Sequence, residues 1–291
     1  MSSTLSGVIA AVPTPINAAG RPDTDRFLAH ARWALANGCD GLNVLGTTGE
    51  ATSLSRQQRE TVMRSAADGL DRSRLMVGTG TPDLESTVGL TRLAAELGFA
   101  AALVLPPFYY KGVPDEGLLA WFETLVAATA ADPIAIYLYN FPQMTGIVYS
   151  PDLVRRLVDT LGDRIVGIKD SSGDLAYAAE LAGIPGFSVF PSSETALARA
   201  REDGYAGCIS ATVNVTSREA AALWARPDDA ALAARVRQLR TAISAEPLVP
   251  GVKYLLGRRF ADPEWSRVAL PWLPLSEAGR ARLDSLDLNL A

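Results

Sequence analysis

The chain repeats one pattern along most of its length: a short apolar run, then a segment whose apolar residues recur at helical spacing. Helix signals lie between most of these runs, such as Ser55 with Gln58 three residues later and Ser150 before Pro151. The eight apolar runs are 7–12, 41–45, 75–78, 100–105, 134–139, 165–169, 187–190 and 207–209. Strands that alternate with helices predict parallel strands joined by helical crossovers.

An α/β chain with eight parallel strands closes naturally as a (β/α)8 barrel, the TIM barrel. The structural alternative is a doubly wound open sheet, but no G-x-G-x-x-G follows the first strand, which argues against its dinucleotide-binding version. From about Pro227 the strand signal stops, and 230–243, 252–256 and 275–286 are predicted helices. We therefore predict a barrel domain over residues 1–226 and a helical C-terminal region over residues 227–291.

Composition argues against several kinds of partner. The 291 residues carry 27 basic and 32 acidic side chains, a net charge of −5, with no basic block suited to nucleic acid. No charged n-region follows Met1, and no apolar run approaches the roughly 20 residues of a membrane helix. We expect a soluble, cytoplasmic protein without a membrane or nucleic-acid partner. The chain has one histidine, His30, and two cysteines far apart in sequence, Cys39 and Cys208. We therefore expect these three to be packing residues and not part of a metal site or a disulfide framework.

The sixth apolar run delivers a single lysine, Lys169, to the end of its strand. Barrel enzymes gather their reactive groups at the carboxyl ends of the strands. Because an apolar setting disfavours an ammonium ion, a buried lysine there can offer a neutral amine that attacks a carbonyl group. The alternative is an ordinary lysine that pairs with Asp170 or extends to water.

Other strand ends carry residues that suit an amine nucleophile. The turn Gly46–Glu50, of sequence GTTGE, follows the second strand. Its hydroxyls and N–H groups suit a small anion such as a carboxylate, or form a simple loop. Tyr109 and Tyr110 follow the fourth strand, and Tyr139 ends the fifth. A phenol beside a lysine imine can deliver and remove protons, although each tyrosine singly is also typical of strand-end packing.

Three separated motifs resemble those of the dihydrodipicolinate synthase and N-acetylneuraminate lyase family, whose members are pyruvate-dependent aldolases with a reactive lysine. The motifs are Gly46–Glu50, Tyr139-Asn140 with Pro142 and Thr145-Gly146, and Gly167-Ile168-Lys169-Asp170, supported by Gly207–Ser210 and Asn214. Their order and spacing are similar to the family's from about Gly7 to the C-terminal helices. The resemblance implies a (β/α)8 barrel with C-terminal helices, a carbon–carbon lyase, and a homotetramer built as a dimer of dimers.

By this resemblance, four residues perform the chemistry. Lys169 forms an imine with pyruvate, Tyr139 moves protons to and from the reacting oxygen, and Thr47 relays them. Tyr110 completes the relay and reaches into the neighbouring subunit's site. No metal or organic cofactor is implied, because the protonated imine is itself the electron sink.

The resemblance leaves the second substrate, an aldehyde, open. Thr48 and the N–H groups of its turn are expected to hold the pyruvate carboxylate, and the main chain near Ile209 to border the site. Dihydrodipicolinate synthases usually carry a carboxylate-binding arginine where this chain has Met144, and a thioether cannot replace that charge. After the seventh strand, the hydroxyls and carboxylate of Pro191-Ser192-Ser193-Glu194 suit either a polyhydroxy chain or a helix cap, whereas Phe141 with Met144 suits an apolar aldehyde.

The leading hypothesis is a pyruvate-dependent Schiff-base aldolase that cleaves or forms a 2-oxo acid, such as a 2-keto-3-deoxy sugar acid. One alternative is a 4-hydroxy-tetrahydrodipicolinate synthase, which condenses pyruvate with aspartate semialdehyde. Another is a dehydratase of deoxy sugar acids. A last alternative is a module that binds a 2-oxo acid without turnover.

Overall fold

The computed structural model describes residues 5–290 and contains one sheet of eight parallel strands. The strands are β1 Gly7–Ala11, β2 Gly41–Val44, β3 Leu75–Gly78, β4 Ala101–Val104, β5 Ala135–Asn140, β6 Ile165–Asp170, β7 Ser188–Pro191 and β8 Gly207–Ser210. Consecutive strands pair from β1 to β7, and β8 pairs with β1. Between β7 and β8, the amide of Ala206 donates to the carbonyl of Val189 at 3.0 Å. The sheet is therefore a nearly closed barrel, which confirms the TIM-barrel prediction and excludes the open sheet.

Helices connect the strands and complete the C-terminal region. They are α1 Thr24–Ala36, α2 Arg56–Gly69, α3 Leu84–Glu96, α4 Asp115–Ala128, α5 Pro142–Thr145, α6 Pro151–Leu161, α7 Leu175–Ala182, α8 Ala200–Asp203, α9 Val213–Ala225, α10 Ala230–Ser244, α11 Leu248–Arg259 and α12 Glu277–Asp284. α7 is a helical crossover whose bounds the sequence did not predict, because eight residues, mostly alanine and leucine, give a weak amphipathic period. No helix within residues 5–290 is long and apolar enough to cross a membrane.

The helix starts follow their sequence signals. Ser55 accepts a hydrogen bond from the amide of Gln58 at 3.2 Å, and the Gln58 side chain accepts one from the Ser55 amide at 2.9 Å. This reciprocal pair satisfies two amides at the N-terminus of α2 that have no partner within the helix. Ser150 caps α6 with a single hydrogen bond, which its side chain accepts from the amide of Leu153 at 3.0 Å.

Two apolar layers hold the barrel together. The inner layer fills the barrel with alternate strand residues, and the outer layer lies between the strands and the helices. The inner layer includes Ile9, Ala11, Met76, Ala101, Leu103, Tyr137, Phe190 and Ile209. On the inward face of β6, Gly167 precedes Lys169 by two residues, and a Cβ on it would lie 2.5 Å from the Tyr137 ring. Glycine there leaves room for that ring below the lysine.

The C-terminal helices form a third apolar cluster against α9. Val215 of α9 packs with Ile243 of α10, Leu255 of α11 and Leu283 of α12. The predicted boundary after residue 226 falls in the loop between α9 and α10. Because α10 and α11 pack on the barrel, their residues can reach the carboxyl ends of its strands.

The histidine and both cysteines are buried packing residues. Cys39 and Cys208 are free thiols, and burial raises the pKa of Cys39 to about 12. His30, on α1, packs against Trp265 of the C-terminal region with ring centroids 5.6 Å apart. Within residues 5–290, no group of three or more His, Cys, Asp and Glu side chains is placed to hold a metal ion.

Candidate active site

A cavity of about 370 Å³ opens at the carboxyl ends of the barrel strands. Seven of the eight residues singled out in the sequence line it: Thr47, Thr48, Tyr139, Met144, Lys169, Ser192 and Ile209. Further lining residues follow β5, β6 and β8, namely Phe141, Gln143, Ser171 and Ala211, and others come from the C-terminal region, namely Arg240, Leu248, Val249 and Trp272. The barrel thus supplies one part of the wall and the C-terminal helices another.

Lys169 enters this cavity from the end of β6 and is 4% exposed. The ladder pairs it with Tyr139 of β5, and its Nζ lies 4.4 Å from the centroid of the Tyr139 ring. Asp170 points to the other face of the strand, where its carboxylate accepts hydrogen bonds from Asn140 at 2.7 Å and Ser172 at 2.8 Å. Burial raises the pKa of Asp170. Lys169 is therefore a buried amine, and Asp170 is engaged elsewhere.

Tyr139 connects the lysine to the turn after β2. Its hydroxyl lies 3.2 Å from Oγ1 of Thr47, close enough for a hydrogen bond in either direction. Phe141 stacks on the Tyr139 ring with centroids 5.8 Å apart, and this contact orients the phenol. The arrangement places an amine, a phenol and an aliphatic hydroxyl in a row at one wall of the cavity.

Glu50 anchors that turn to the C-terminal region. Its backbone is left-handed, with φ of 54°, and its buried carboxylate pairs with Lys253 of α11. The same carboxylate accepts a hydrogen bond from the amide of Ala269 at 2.6 Å, and Lys253 donates to the carbonyl of Arg267 at 3.0 Å. Burial raises the pKa of Glu50 and lowers the pKa of Lys253, each opposed by the charge of the other. Because the Glu50 amide donates to the carbonyl of Thr47 at 3.0 Å, the ion pair anchors the turn that carries Thr47 and Thr48.

Tyr110 is the predicted site residue that the cavity of this chain does not include. Its side chain is 73% exposed and meets Tyr109 edge to face, with ring centroids 5.3 Å apart. Lys111 ties this loop to α5 by donating to the carbonyl of Thr145 at 2.6 Å. Any part that Tyr110 plays in catalysis therefore requires a second chain or a movement of the loop.

Arg240 is a site residue that sequence reasoning missed. From α10, its Nη1 donates to Oγ of Ser210 at 2.9 Å and to Oγ1 of Thr212 at 3.1 Å, and lies 3.3 Å from the carboxylate of Glu194. A signal existed: Arg240 lies on the same helical stripe as the buried Val236 and Ile243. A cation on an apolar stripe is either paired or functional.

The sequence matches the model of the Dihydrodipicolinate synthetase family over residues 4–286. The chain belongs to this family. The family resemblance seen in the sequence is thereby confirmed, and the protein is a lyase of the aldolase type. An uncharacterized DapA-like lyase of Chloroflexus aurantiacus is 33% identical over 283 residues, which are 95% of this chain and 94% of that protein.

Solved structures of the dihydrodipicolinate synthetase family share the fold. A dihydrodipicolinate synthase from Agrobacterium tumefaciens has a TM-score of 0.90 and 31% identity, covering 96% of this chain and 97% of the other. YagE, a prophage protein of the same family from E. coli, was solved in complex with pyruvate, with a TM-score of 0.88, 27% identity and 97% coverage of both chains. The barrel and its C-terminal helices thus recur as a unit in the family.

Proposed function

We propose that the protein is a pyruvate-dependent aldolase that works through an imine on Lys169 and acts on a 2-oxo acid. The observation that carries this proposal is a buried lysine amine beside the phenol of Tyr139, which is in turn within hydrogen-bond distance of Thr47. The pyruvate complex of the relative YagE supports the choice of substrate.

In the proposed reaction, the neutral amine of Lys169 attacks the carbonyl carbon of pyruvate. The pyruvate carboxylate is held by Thr48 and the N–H groups of its turn. Tyr139 protonates the carbinolamine oxygen, which leaves as water, and Thr47 helps to exchange the proton. The protonated imine then withdraws electrons from the methyl group, the phenolate left on Tyr139 takes a methyl proton, and the imine becomes an enamine. No metal or organic cofactor is needed for this step.

The enamine adds to an aldehyde, and hydrolysis of the new imine releases the product and the free lysine. Run in reverse, the same steps cleave a 2-oxo acid. We propose a 2-keto-3-deoxy sugar acid as this 2-oxo acid, because the cavity offers Ser171, Ser192 and Gln143 to a hydroxylated chain. Met144 lies 59% exposed at the cavity, where a thioether gives a substrate carboxylate no ionic partner.

Reductive trapping tests the imine. The protein incubated with pyruvate and borohydride should gain the mass of a reduced pyruvyl group on the peptide that contains Lys169. Lys253 is the internal control, since it is buried but engaged by Glu50. An unmodified Lys169, under conditions that label a known lysine aldolase, would show the proposal to be wrong.

The proton-transfer part is tested separately. Tyr139→Phe should lower kcat by about 10²- to 10⁴-fold, the usual contribution of general acid–base catalysis. Tyr177→Phe is the matched control, because its hydroxyl donates to the carbonyl of Tyr149 at 2.8 Å, away from the cavity. Equal activity of Tyr139→Phe and the parent would rule out the phenol as the proton carrier.

A further inference from the structure

The guanidinium of Arg240 is only partly engaged by the protein. Within residues 5–290, one nitrogen, Nη1, makes the hydrogen bonds of this side chain: to Ser210, to Thr212, to the carboxylate of Glu194 and, at 3.3 Å, to the carbonyl of Ser192. Its Nε and Nη2 groups have no acceptor within the described part of the chain. Because the side chain lines the cavity and is 20% exposed, these N–H groups are available to a ligand.

Glu194 compensates the charge of Arg240 from inside the protein. Its side chain is 1% exposed and accepts hydrogen bonds from Ser210 at 2.7 Å and from Thr212, with Thr216 at 3.4 Å. These contacts hold the carboxylate behind the arginine, at the ends of β7 and β8. Arg240 therefore presents N–H donors to the cavity, while Glu194 balances its positive charge.

The charges around a bound substrate form two balanced pairs. Lys169 and Arg240 are the charged residues among those that line the cavity. In the proposed reaction, the imine cation on Lys169 is balanced by the pyruvate carboxylate, and Arg240 is balanced by Glu194. A second anion on the aldehyde would have no counter-charge and would approach the Glu194 carboxylate, which is unfavourable in a desolvated site. A hydroxyl group would accept from the free N–H groups at no such penalty.

We infer that the pair Arg240–Glu194 determines which aldehyde is accepted. Arg240 offers N–H donors that have no acceptor in the protein, while Glu194 balances its charge. The pair therefore selects a neutral hydroxyaldehyde over an aldehyde with a terminal anion. This inference rests on the proposed function and names the second substrate of the same site. Arg240 touches that substrate, and Glu194 is a positioning residue that sets the charge.

The first test compares three short aldehydes in the unmodified protein at saturating pyruvate: D-glyceraldehyde, succinic semialdehyde, and butyraldehyde as the apolar control. We expect kcat/KM for glyceraldehyde to exceed that for succinic semialdehyde by about tenfold or more. This comparison needs no variant, so it does not depend on how a substitution folds. A preference for succinic semialdehyde, or no preference, overturns the inference.

The second test changes the pair. Arg240→Met should lose more kcat/KM with glyceraldehyde than with butyraldehyde. Glu194→Gln leaves the charge of Arg240 unbalanced and should raise the ratio of succinic semialdehyde to glyceraldehyde by about tenfold. Arg237→Met, on the exposed side of α10, is the matched control and should keep the parent's preferences. The inference is overturned if Arg240→Met keeps the parent's ratio of glyceraldehyde to butyraldehyde.

A third measurement separates this inference from the proposed function. Exchange of the pyruvate methyl protons in D₂O, followed by NMR, reports enamine formation without any aldehyde. If the methyl protons exchange but the protein does not prefer glyceraldehyde over succinic semialdehyde, only the role of the Arg240–Glu194 pair is refuted. Absence of both exchange and borohydride trapping refutes the proposed function, and the inference with it.

Discussion

At the scale of single residues, the two basic side chains of the cavity differ in their surroundings. Lys169 faces the Tyr139 ring, and the neighbouring carboxylate of Asp170 is satisfied by Asn140 and Ser172. The guanidinium of Arg240 forms an ion pair with the carboxylate of Glu194. An amine that is free of an ion pair can act as a nucleophile, whereas an arginine held by a carboxylate serves as a fixed donor. The two basic side chains therefore suit two different tasks.

His30 is a residue whose burial has a measurable consequence. Asn214 donates to the carbonyls of Ala11 and Ala211, so its oxygen faces His30 Nε2, 2.8 Å away, and accepts the proton of that nitrogen. The other ring nitrogen, Nδ1, is buried without a partner in residues 5–290. Burial lowers the pKa of His30 from 6.5 to about 4, because a second proton would create an unsolvated charge.

This lowered pKa predicts how stability depends on pH. The unfolded chain takes up a proton on His30 at higher pH than the folded chain does, so the contribution is fully present above about pH 6.5. It should be lost as the pH falls towards 4, by about 3 kcal/mol at most. Urea unfolding at several pH values should show a smaller decrease for His30→Gln than for the parent. Equal decreases would assign the effect to other groups.

At the scale of elements, strand ends and C-terminal helices divide the site between them. The barrel contributes Tyr139 from β5, Lys169 from β6 and Thr47 from the turn after β2. These are the residues that we propose act on pyruvate. α10 and α11 bring Arg240 and Val249 to the same cavity. The ion pair of Glu50 with Lys253 joins the two groups of elements.

Removing this pair should therefore affect both stability and the site. Lys253→Met leaves the buried Glu50 carboxylate without its counter-charge, and we expect a loss of about 3 to 5 kcal/mol in the free energy of unfolding. Replacing Glu50 by Gln as well should recover part of that loss. Arg155→Met, which breaks the exposed pair of Arg155 with Glu180, is the control and should change stability little. Equal effects of Lys253→Met and Arg155→Met would contradict a structural role for the buried pair.

At the scale of the whole molecule, the loop after β4 exposes two adjacent aromatic side chains. Tyr109 and Tyr110 are 74% and 73% exposed, and their ring centroids lie 5.3 Å apart. Large exposed aromatic side chains are typical of interaction surfaces. Together with the position of Tyr110 outside the cavity of its own chain, this supports the proposal of a homo-oligomer that shares Tyr110 between subunits.

This proposal predicts separate effects for two variants. Tyr110→Phe keeps the ring, so it should preserve the assembly in analytical ultracentrifugation but lower kcat, because the relay loses its hydroxyl. Tyr110→Ala should weaken the assembly as well. A monomer with full activity at the lowest concentration tested would contradict a shared site.

Much of the candidate site follows from local sequence patterns. The alternation of apolar runs and amphipathic helices predicts a barrel, and the carboxyl ends of barrel strands converge on one face. Lys169, Tyr139 and Thr47 could therefore be placed together without coordinates. The bounds of the short helix α7 were not predicted, because its few residues carry little periodicity.

The sequence by itself determined the barrel and the group of strand-end residues around Lys169, because both depend on periodicities and strand ends that are read locally. Only the tertiary structure decided which distant residues meet. Glu50 and Lys253 are 203 positions apart, and Glu194 and Arg240 are 46 apart. Each pair forms because the C-terminal helices pack on the barrel, and no pattern within one element encodes that contact. For the second substrate, the sequence predicted Ser192, Phe141 and Met144, whereas the place of Arg240 beside them became visible only in three dimensions.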